Sequence, residues 1–97
     1  MYSMDDLLLA NSEGADKLRL CVGSPPVVLL GGEQHTIEGP PITPEDAERL
    51  LQSIANTRKW RKLRERGVVE FVYRFRHSTD FVVRARMENE NVRIDIH

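Results

Sequence analysis

The last third of the chain decides what it can become. Between residues 68 and 96, apolar and polar side chains alternate with a period of two through three successive runs. Val69, Phe71, Tyr73 and Phe75 interleave with Val68, Glu70, Val72 and Arg74. Phe81, Val83, Ala85 and Met87 interleave with Val82, Arg84 and Arg86, and Val92, Ile94 and Ile96 with Arg93, Asp95 and His97. Successive side chains of a strand point to opposite faces, so these runs build a sheet with one dry side. Polar residues at His77-Ser78-Thr79 and Glu88-Asn89-Glu90 interrupt the alternation and mark the turns. An antiparallel meander with one apolar face needs a cover.

The cover is written upstream. In Thr43-Pro44-Glu45-Asp46 the threonine is placed to cap a helix, the proline fits its first position, and the acids meet the positive end of its dipole. Ala47, Leu50, Leu51 and Ile54 form the apolar stripe of that helix. A second, basic helix is expected over Thr57 to Arg66, stopping at Gly67, with Trp60 and Leu63 as its apolar anchors. Near the N-terminus, Ser3-Met4-Asp5-Asp6 opens a helix whose stripe of Met4, Leu7, Leu8 and Asn11 runs to Glu13, before Gly14 ends it.

The segment between these helices supplies three more strands. Leu18, Leu20 and Val22 share one face and Lys17, Arg19 and Cys21 the other. Gly23-Ser24-Pro25-Pro26 breaks that strand, because proline cannot donate to a ladder. Val27 to Leu30 reads as a short buried strand, Gly31-Gly32 as a hairpin turn, and Glu33 to Ile37 as the returning strand. The expected fold is α+β, in the order α-β-β-β-α-α-β-β-β, with helices on one face of a roughly six-stranded antiparallel sheet. At 97 residues the chain is expected to be one domain, 1–97.

The net charge of −1 hides a division. Residues 1–48 carry nine acids against Lys17 and Arg19, whereas residues 49–97 carry twelve bases against six acids. Such asymmetry suits an anionic partner or self-association between unlike surfaces. No apolar run approaches the roughly 18 residues of a membrane span, and nothing resembles a signal peptide. The lone Cys21 excludes an internal disulfide framework and fits a reducing compartment, so a cytoplasmic location is expected.

Candidate chemistry concentrates in Arg58, Lys59, Trp60, Arg61 and Lys62, part of a helix with six bases and one acid. It can grip phosphates, an anionic membrane surface or an acidic protein, or it can be a two-residue stripe on the core with solvated bases. Arg74, Arg84 and Arg86 stand on the outward sheet face with Arg93, Glu70 and Asp95. They offer either a docking surface or cross-strand ion pairs. His35, His77 and His97 lie too far apart in sequence for metal-ligand spacing. His77-Ser78-Thr79-Asp80 holds triad residue types in one short turn, which cannot arrange a relay and an oxyanion hole together. No metal, cofactor or catalytic residue is expected.

Several segments, in order, resemble the N-terminal domain of the PilT-type motors, the hexameric ATPases that retract type IV pili, and related secretion ATPases. Met4-Asp5-Asp6-Leu7-Leu8 is similar to the family's opening helix, and Gly14-Ala15-Asp16-Lys17-Leu18-Arg19-Leu20 to its "GASDLHL" strand. Val22-Gly23-Ser24-Pro25-Pro26 is similar to its "VGxPP" turn. Pro41-Ile42-Thr43-Pro44-Glu45 with Leu50, Leu51 and Ile54 is similar to its "PLTPE…LL..I" helix, and Glu70-Phe71-Val72-Tyr73 to its "DFSY" strand. The resemblance implies a PAS-like fold and a bacterial protein concerned with type IV pili and twitching motility. Departures accompany it. No G-x-x-x-x-G-K-[ST] is present to hold nucleotide phosphates. Arg19 stands at the family's histidine, and Leu29 replaces its arginine after the turn. Asp80-Phe81-Val82-Val83-Arg84 replaces "RFRVN". The expectation is therefore a PilT-N-like domain without an ATPase domain, binding a pilus or secretion ATPase or another copy of itself. Nucleic-acid binding through residues 57–66 ranks second and a PAS-like small-molecule sensor third.

Overall fold

The computed structural model describes residues 2–12, of which Ser12 by its backbone alone, and residues 14–97. Its elements follow the expected order: α1 (Met4–Ser12), β1 (Lys17–Leu20), β2 (Val27–Leu30), β3 (Glu33–Thr36), α2 (Pro44–Gln52), α3 (Thr57–Arg66), β4 (Val68–Phe75), β5 (Thr79–Glu88) and β6 (Asn91–Ile96). The six strands form one sheet in the order β3-β2-β1-β6-β5-β4, and every neighbouring pair is antiparallel. This is the α+β, PAS-like arrangement. The expected end of the first helical stripe at Glu13 lies outside the described residues.

Burial places the three helices over one face. α1 packs on β1, α2 on β6, and α3 on β4 and β5. Met4, Leu7, Leu8 and Asn11 of α1 are buried, as are Ala47, Leu50 and Leu51 of α2, Ile54 just after it, and Leu63 of α3. They close on Leu18, Leu20, Val69, Phe75, Phe81, Val83, Ala85, Val92, Ile94 and Ile96 from the sheet. Each fully buried Leu or Ile contributes roughly 1.5–3 kcal/mol of transfer free energy, so this layer dominates stability.

Local chemistry fixes the helix ends. Thr43 Oγ1 accepts from the Asp46 amide at 3.1 Å, and Asp46 Oδ2 accepts from the Thr43 amide at 3.2 Å, a reciprocal cap. The Thr43 backbone N–H, with its side chain and Arg49 adding, holds the Asp46 carboxyl below its ordinary value of 3.8. Asn56 caps α3 through the Lys59 amide at 3.0 Å. Gly67 ends it at φ 79°, a left-handed conformation that glycine adopts without a Cβ penalty.

Five expectations change in detail. β2 is not a wholly buried strand: Val28 is buried, but Leu30 is 40% exposed. The helices cover one face only, and β2 has just the short edge strand β3 beyond it. β1 stops at Leu20, and Val22 forms an isolated parallel bridge with Ile42 instead. β3 ends at Thr36, and the Ile37 amide turns to donate to the Pro26 carbonyl. Thr79 and Glu88 belong to β5, so the first turn moves back one residue to Arg76–Ser78 and the second shortens to Asn89–Glu90. Arg76, His77, Asn89 and Glu90 all adopt positive φ there. Met87 shares the apolar side of β5 but is 39% exposed, since it sits at the end of its strand outside the buried cluster.

Replacing Thr43 by alanine is expected to lower stability by about 1 kcal/mol, whereas Thr43→Ser retains most of it, as read by urea denaturation. Because the folded Asp46 carboxyl titrates below its unfolded value, its share of the cap is complete above that value and fades as pH falls through the folded one. Asp46→Asn is therefore expected to flatten the stability loss between about pH 5 and pH 2.

Candidate docking surface

α3 is built to present charge. Leu63 is fully buried and Trp60 half-buried, and together they tie the helix to the sheet. The remaining positions hold Arg58, Lys59, Arg61, Lys62, Arg64, Glu65 and Arg66. The first turn carries no acid, although that end of a helix is electropositive. Arg58 and Lys59 there oppose the dipole, each at a cost of about 0.3–1 kcal/mol. Among the described residues, none of the six bases joins an ion pair. Lys59 instead lies 4.8 Å from the Phe71 ring centre, and Arg64 lies 5.6 Å from that of Trp60.

Beside this helix runs an open groove of about 740 Å³, lined by Gln52, Ala55, Asn56, Thr57, Trp60, Arg61, Arg64 and Glu65. It lies between the end of α2 and α3, outside the core. The Trp60 indole Nε1 is shielded from solvent and has no hydrogen-bond partner among the described residues. An unsatisfied donor of this kind costs about 1–3 kcal/mol. Arg58, Arg61, Lys62, Glu65 and Arg66 border a second, shallower concavity on the same helix.

The sheet arginines behave differently. Arg74 and Asp80 face each other across β4 and β5 and form a two-pronged contact, 2.9 Å from Nε to Oδ1 and 3.4 Å from Nη2 to Oδ2. Their hydrogen bond raises the Arg74 guanidinium and lowers the Asp80 carboxyl from their ordinary values. Arg86 and Arg93 share Glu88 at 3.7 and 3.4 Å. Asp95, only 6% exposed, accepts from Arg19 at 3.2 Å and has Arg93 Nε at 3.6 Å, inside ion-pair range but beyond a hydrogen bond. Arg84 stands in register between Glu70 and Asp95 without an ion pair of its own among the described residues. The eight candidates thus separate. Arg58, Lys59, Trp60, Arg61 and Lys62 come together on α3. On the opposite face Arg74 is absorbed in a cross-strand pair with Asp80 and Arg86 in a pair with Glu88 along β5 itself, and Arg84 stands between Glu70 and Asp95.

Sequence reading misses two anchors of that face. Asp80 and Glu88 read as turn residues in the sequence, yet both close ion pairs; their place beside each turn was the available signal. His35 lies on β3, His77 in the β4–β5 turn, and His97 after β6. Cys21 is half-buried at a shallow concavity of about 140 Å³ with Glu88 and Arg93. Among the described residues, no group of three His, Cys, Asp or Glu is placed to hold a metal ion, and no helix is long and apolar enough to cross a membrane.

No protein-family model and no curated protein matches the chain. Solved structures do. The crystal structure of the pilus retraction motor PilT with bound ADP superposes with a TM-score of 0.90 at 25% identity, over 100% of this chain and 29% of that one. The chain is a divergent relative of the N-terminal domain of PilT-type ATPases. The Legionella pneumophila ATPase DotB aligns over 99% of this chain and 29% of its own, with TM-score 0.81 and 19% identity. The Yersinia pseudotuberculosis DotB does so over 96% and 28%, with TM-score 0.67 and 15% identity. Both share the fold. The PilT-type domain here spans less than a third of each of these chains, and the matched portion is not their catalytic part.

Asp95→Ala is expected to cost about 2 kcal/mol, because it strips the counter-charge from half-buried Arg19 and Arg93. Arg84→Ala, which breaks no pair, is expected to stay within about 0.5 kcal/mol of the parent. Parallel urea titrations check the contrast.

Proposed function

We propose that this PilT-type N-terminal domain is a non-catalytic protein-interaction module. α3 docks it on an acidic protein surface. The observation that carries this reading is the contrast between the two sets of bases. Four sheet arginines, Arg19, Arg74, Arg86 and Arg93, are held by carboxylates and Arg84 stands in register between two acids, whereas the six helix bases have no ion-pair partner among the described residues, and two of them stand against their own helix dipole. A chain that can neutralise arginine on one face and leaves a whole helix unneutralised on the other keeps that charge for a partner. The groove beside Trp60 gives the partner a place to seat an apolar side chain.

The proposed partner is a pilus-retraction or related ATPase, met in the cytoplasm, and the role is regulatory. The support is the likeness to PilT over the whole chain and the charge complementarity an acidic face would supply. Nucleic acid shares the attraction to bases but needs open aromatic faces for single-strand stacking. Here Phe71 lies beneath Lys59, and Phe75 and Phe81 are buried against each other at 6.1 Å.

Pulldown from extract with the parent chain and with the combined variant Arg58→Glu, Lys59→Glu, Arg61→Glu and Lys62→Glu tests the reading. The parent is expected to retain an acidic protein that the variant loses, with both chains giving the same circular dichroism. Unchanged capture by the variant sinks α3 as the docking element. Fluorescence anisotropy with labelled single-stranded DNA is expected to detect no binding even at about 50 mM salt, where phosphate contacts are strong. Tight binding there would move the assignment to nucleic acid.

A further inference from the structure

The two edges of the sheet are not treated alike. β3 has the usual protections: it is four residues long, Glu33-Gln34-His35-Thr36, and exposed throughout. β4, the opposite edge, is eight residues long, Val68–Phe75, with no proline, no lysine and no bulge against β5. Val72 is 61% exposed, the most exposed of the large apolar side chains described, and Val68 is open beside it. A long, unbulged edge with an exposed valine at its centre invites another strand.

Backbone alternation says which residues would receive it. Met87 donates to the Gly67 carbonyl, while Val82 and His97 exchange N–H···O bonds. Antiparallel pairs alternate between bonded and non-bonded, so the odd-numbered residues of β4 turn their amides towards β5. Val68, Glu70, Val72 and Arg74 therefore turn theirs to the open edge.

We propose that β4 pairs with β4 of a second copy of this chain, antiparallel, about a twofold axis through Val72. In that register Val72 meets Val72, and Glu70 of each copy meets Arg74 of the other, twice. On the helix side Phe71 meets Tyr73, both half-buried in the single chain, at the closer non-bonded spacing. A one-residue move of the axis in either direction loses this match: Glu70 then opposes Val72, or Val72 opposes Arg74. The occupant is a second copy because a cross-strand row on the outward face is left incomplete. Arg19, Asp95, Arg84 and Glu70 lie side by side across β1, β6, β5 and β4, alternating in sign and ending on an acid at the edge. The next group the row calls for is a base. Arg74 of the second copy supplies it and brings its own Asp80 behind it, extending the alternation across the joint. The β4 surface is independent of the proposed α3 docking role, and either can fail alone.

The twofold sets two basic α3 helices on the same side of the joined sheet, so the measurement is made at about 0.15 M salt, where charges are screened within about 8 Å. Sedimentation equilibrium from roughly 10 µM to 1 mM protein covers a weak to moderate dimer. The parent chain is expected to dimerise. Glu70→Arg leaves two bases facing each other at each of these pairs, and Arg74→Glu leaves two acids, so each variant alone is expected to weaken the dimer by about tenfold or more. An equimolar mixture of the two variants is expected to restore it to within about threefold, since every facing pair is again opposite in charge. Val72→Lys, which leaves all ion pairs in place, is expected to be monomeric and supplies the test should Arg74→Glu disturb folding through Asp80. A parent that stays monomeric at the highest concentration overturns the proposal, as does a dimer indifferent to all three variants. Weakening without restoration in the mixture overturns the twofold register.

Discussion

Three residue pairs hold the molecule together as one sheet. Leu18 with Ile96, Arg19 with Asp95 and Leu20 with Ile94 join β1 to β6, and through them the β3-β2-β1 meander to the β6-β5-β4 meander. The residues they connect are separated by most of the chain, so forming them carries a large loop-closure entropy that local hairpins do not face. Burial repays it. Leu18, Leu20, Ile94 and Ile96 are all fully buried, and α2 lies over β6 to seal the seam. Asp95 gives the same seam its electrostatic lock: a carboxylate out of solvent that is tolerable only while Arg19 and Arg93 stay beside it. Where the family pattern has histidine at the position of Arg19, this chain has a permanent charge and matches it with an acid.

With all helices on one side, the other side of the sheet has to manage without a cover. It does so by alternating charge between strands rather than by burying apolar groups. This explains why the outward arginines read ambiguously in the sequence. A strand lists its residues along its own length, and the partner of an arginine lies on a neighbouring strand whose register the list does not give. Arg74 and Asp80 are six positions apart and bonded; Arg84 and Asp95 are eleven apart and adjacent. The arginines of α3 have no such neighbours among the described residues, and only the folded geometry separates the two groups.

What could be read in advance was the periodic part. The alternation in residues 68–96, the Thr43 cap, the Gly67 stop and the apolar stripes of α1 and α2 all act within a few residues, and each appears where its local rule puts it. The strand order does not follow from any of these rules, because β1 could pair with β6 or with β4 at equal local cost. The exposure of Leu30 and Met87 was hidden for the same reason: a hydrophobic residue on the correct face is buried only if a helix reaches that far. For the candidate surface, the sequence held the charge of α3 but not the groove beside it. The groove is lined by the end of α2, by Ala55 and Asn56 of the connection, and by α3, which only the fold brings together.

The charge division of the sequence becomes in part a division in space, although α2 carries Glu45, Asp46 and Glu48 over β6. The acidic half of the chain builds β1, β2, β3 and the α1 that covers β1; the basic half builds β4, β5, β6 and α3. One end of the sheet is therefore acidic and closed by a short hydrophilic edge, and the other is basic and ends on an open one. Opposite ends of unlike charge would by themselves favour head-to-tail association, which does not close and grows into filaments. The hydrophilic, four-residue β3 offers little strand to pair with, which disfavours that route. β4 then finds its match only in itself, where the Glu70–Arg74 register satisfies charge on both sides of an axis and stops at two copies. An edge with self-complementary charge, set opposite an edge that refuses pairing, is what a closed assembly requires of a sheet that keeps two free ends.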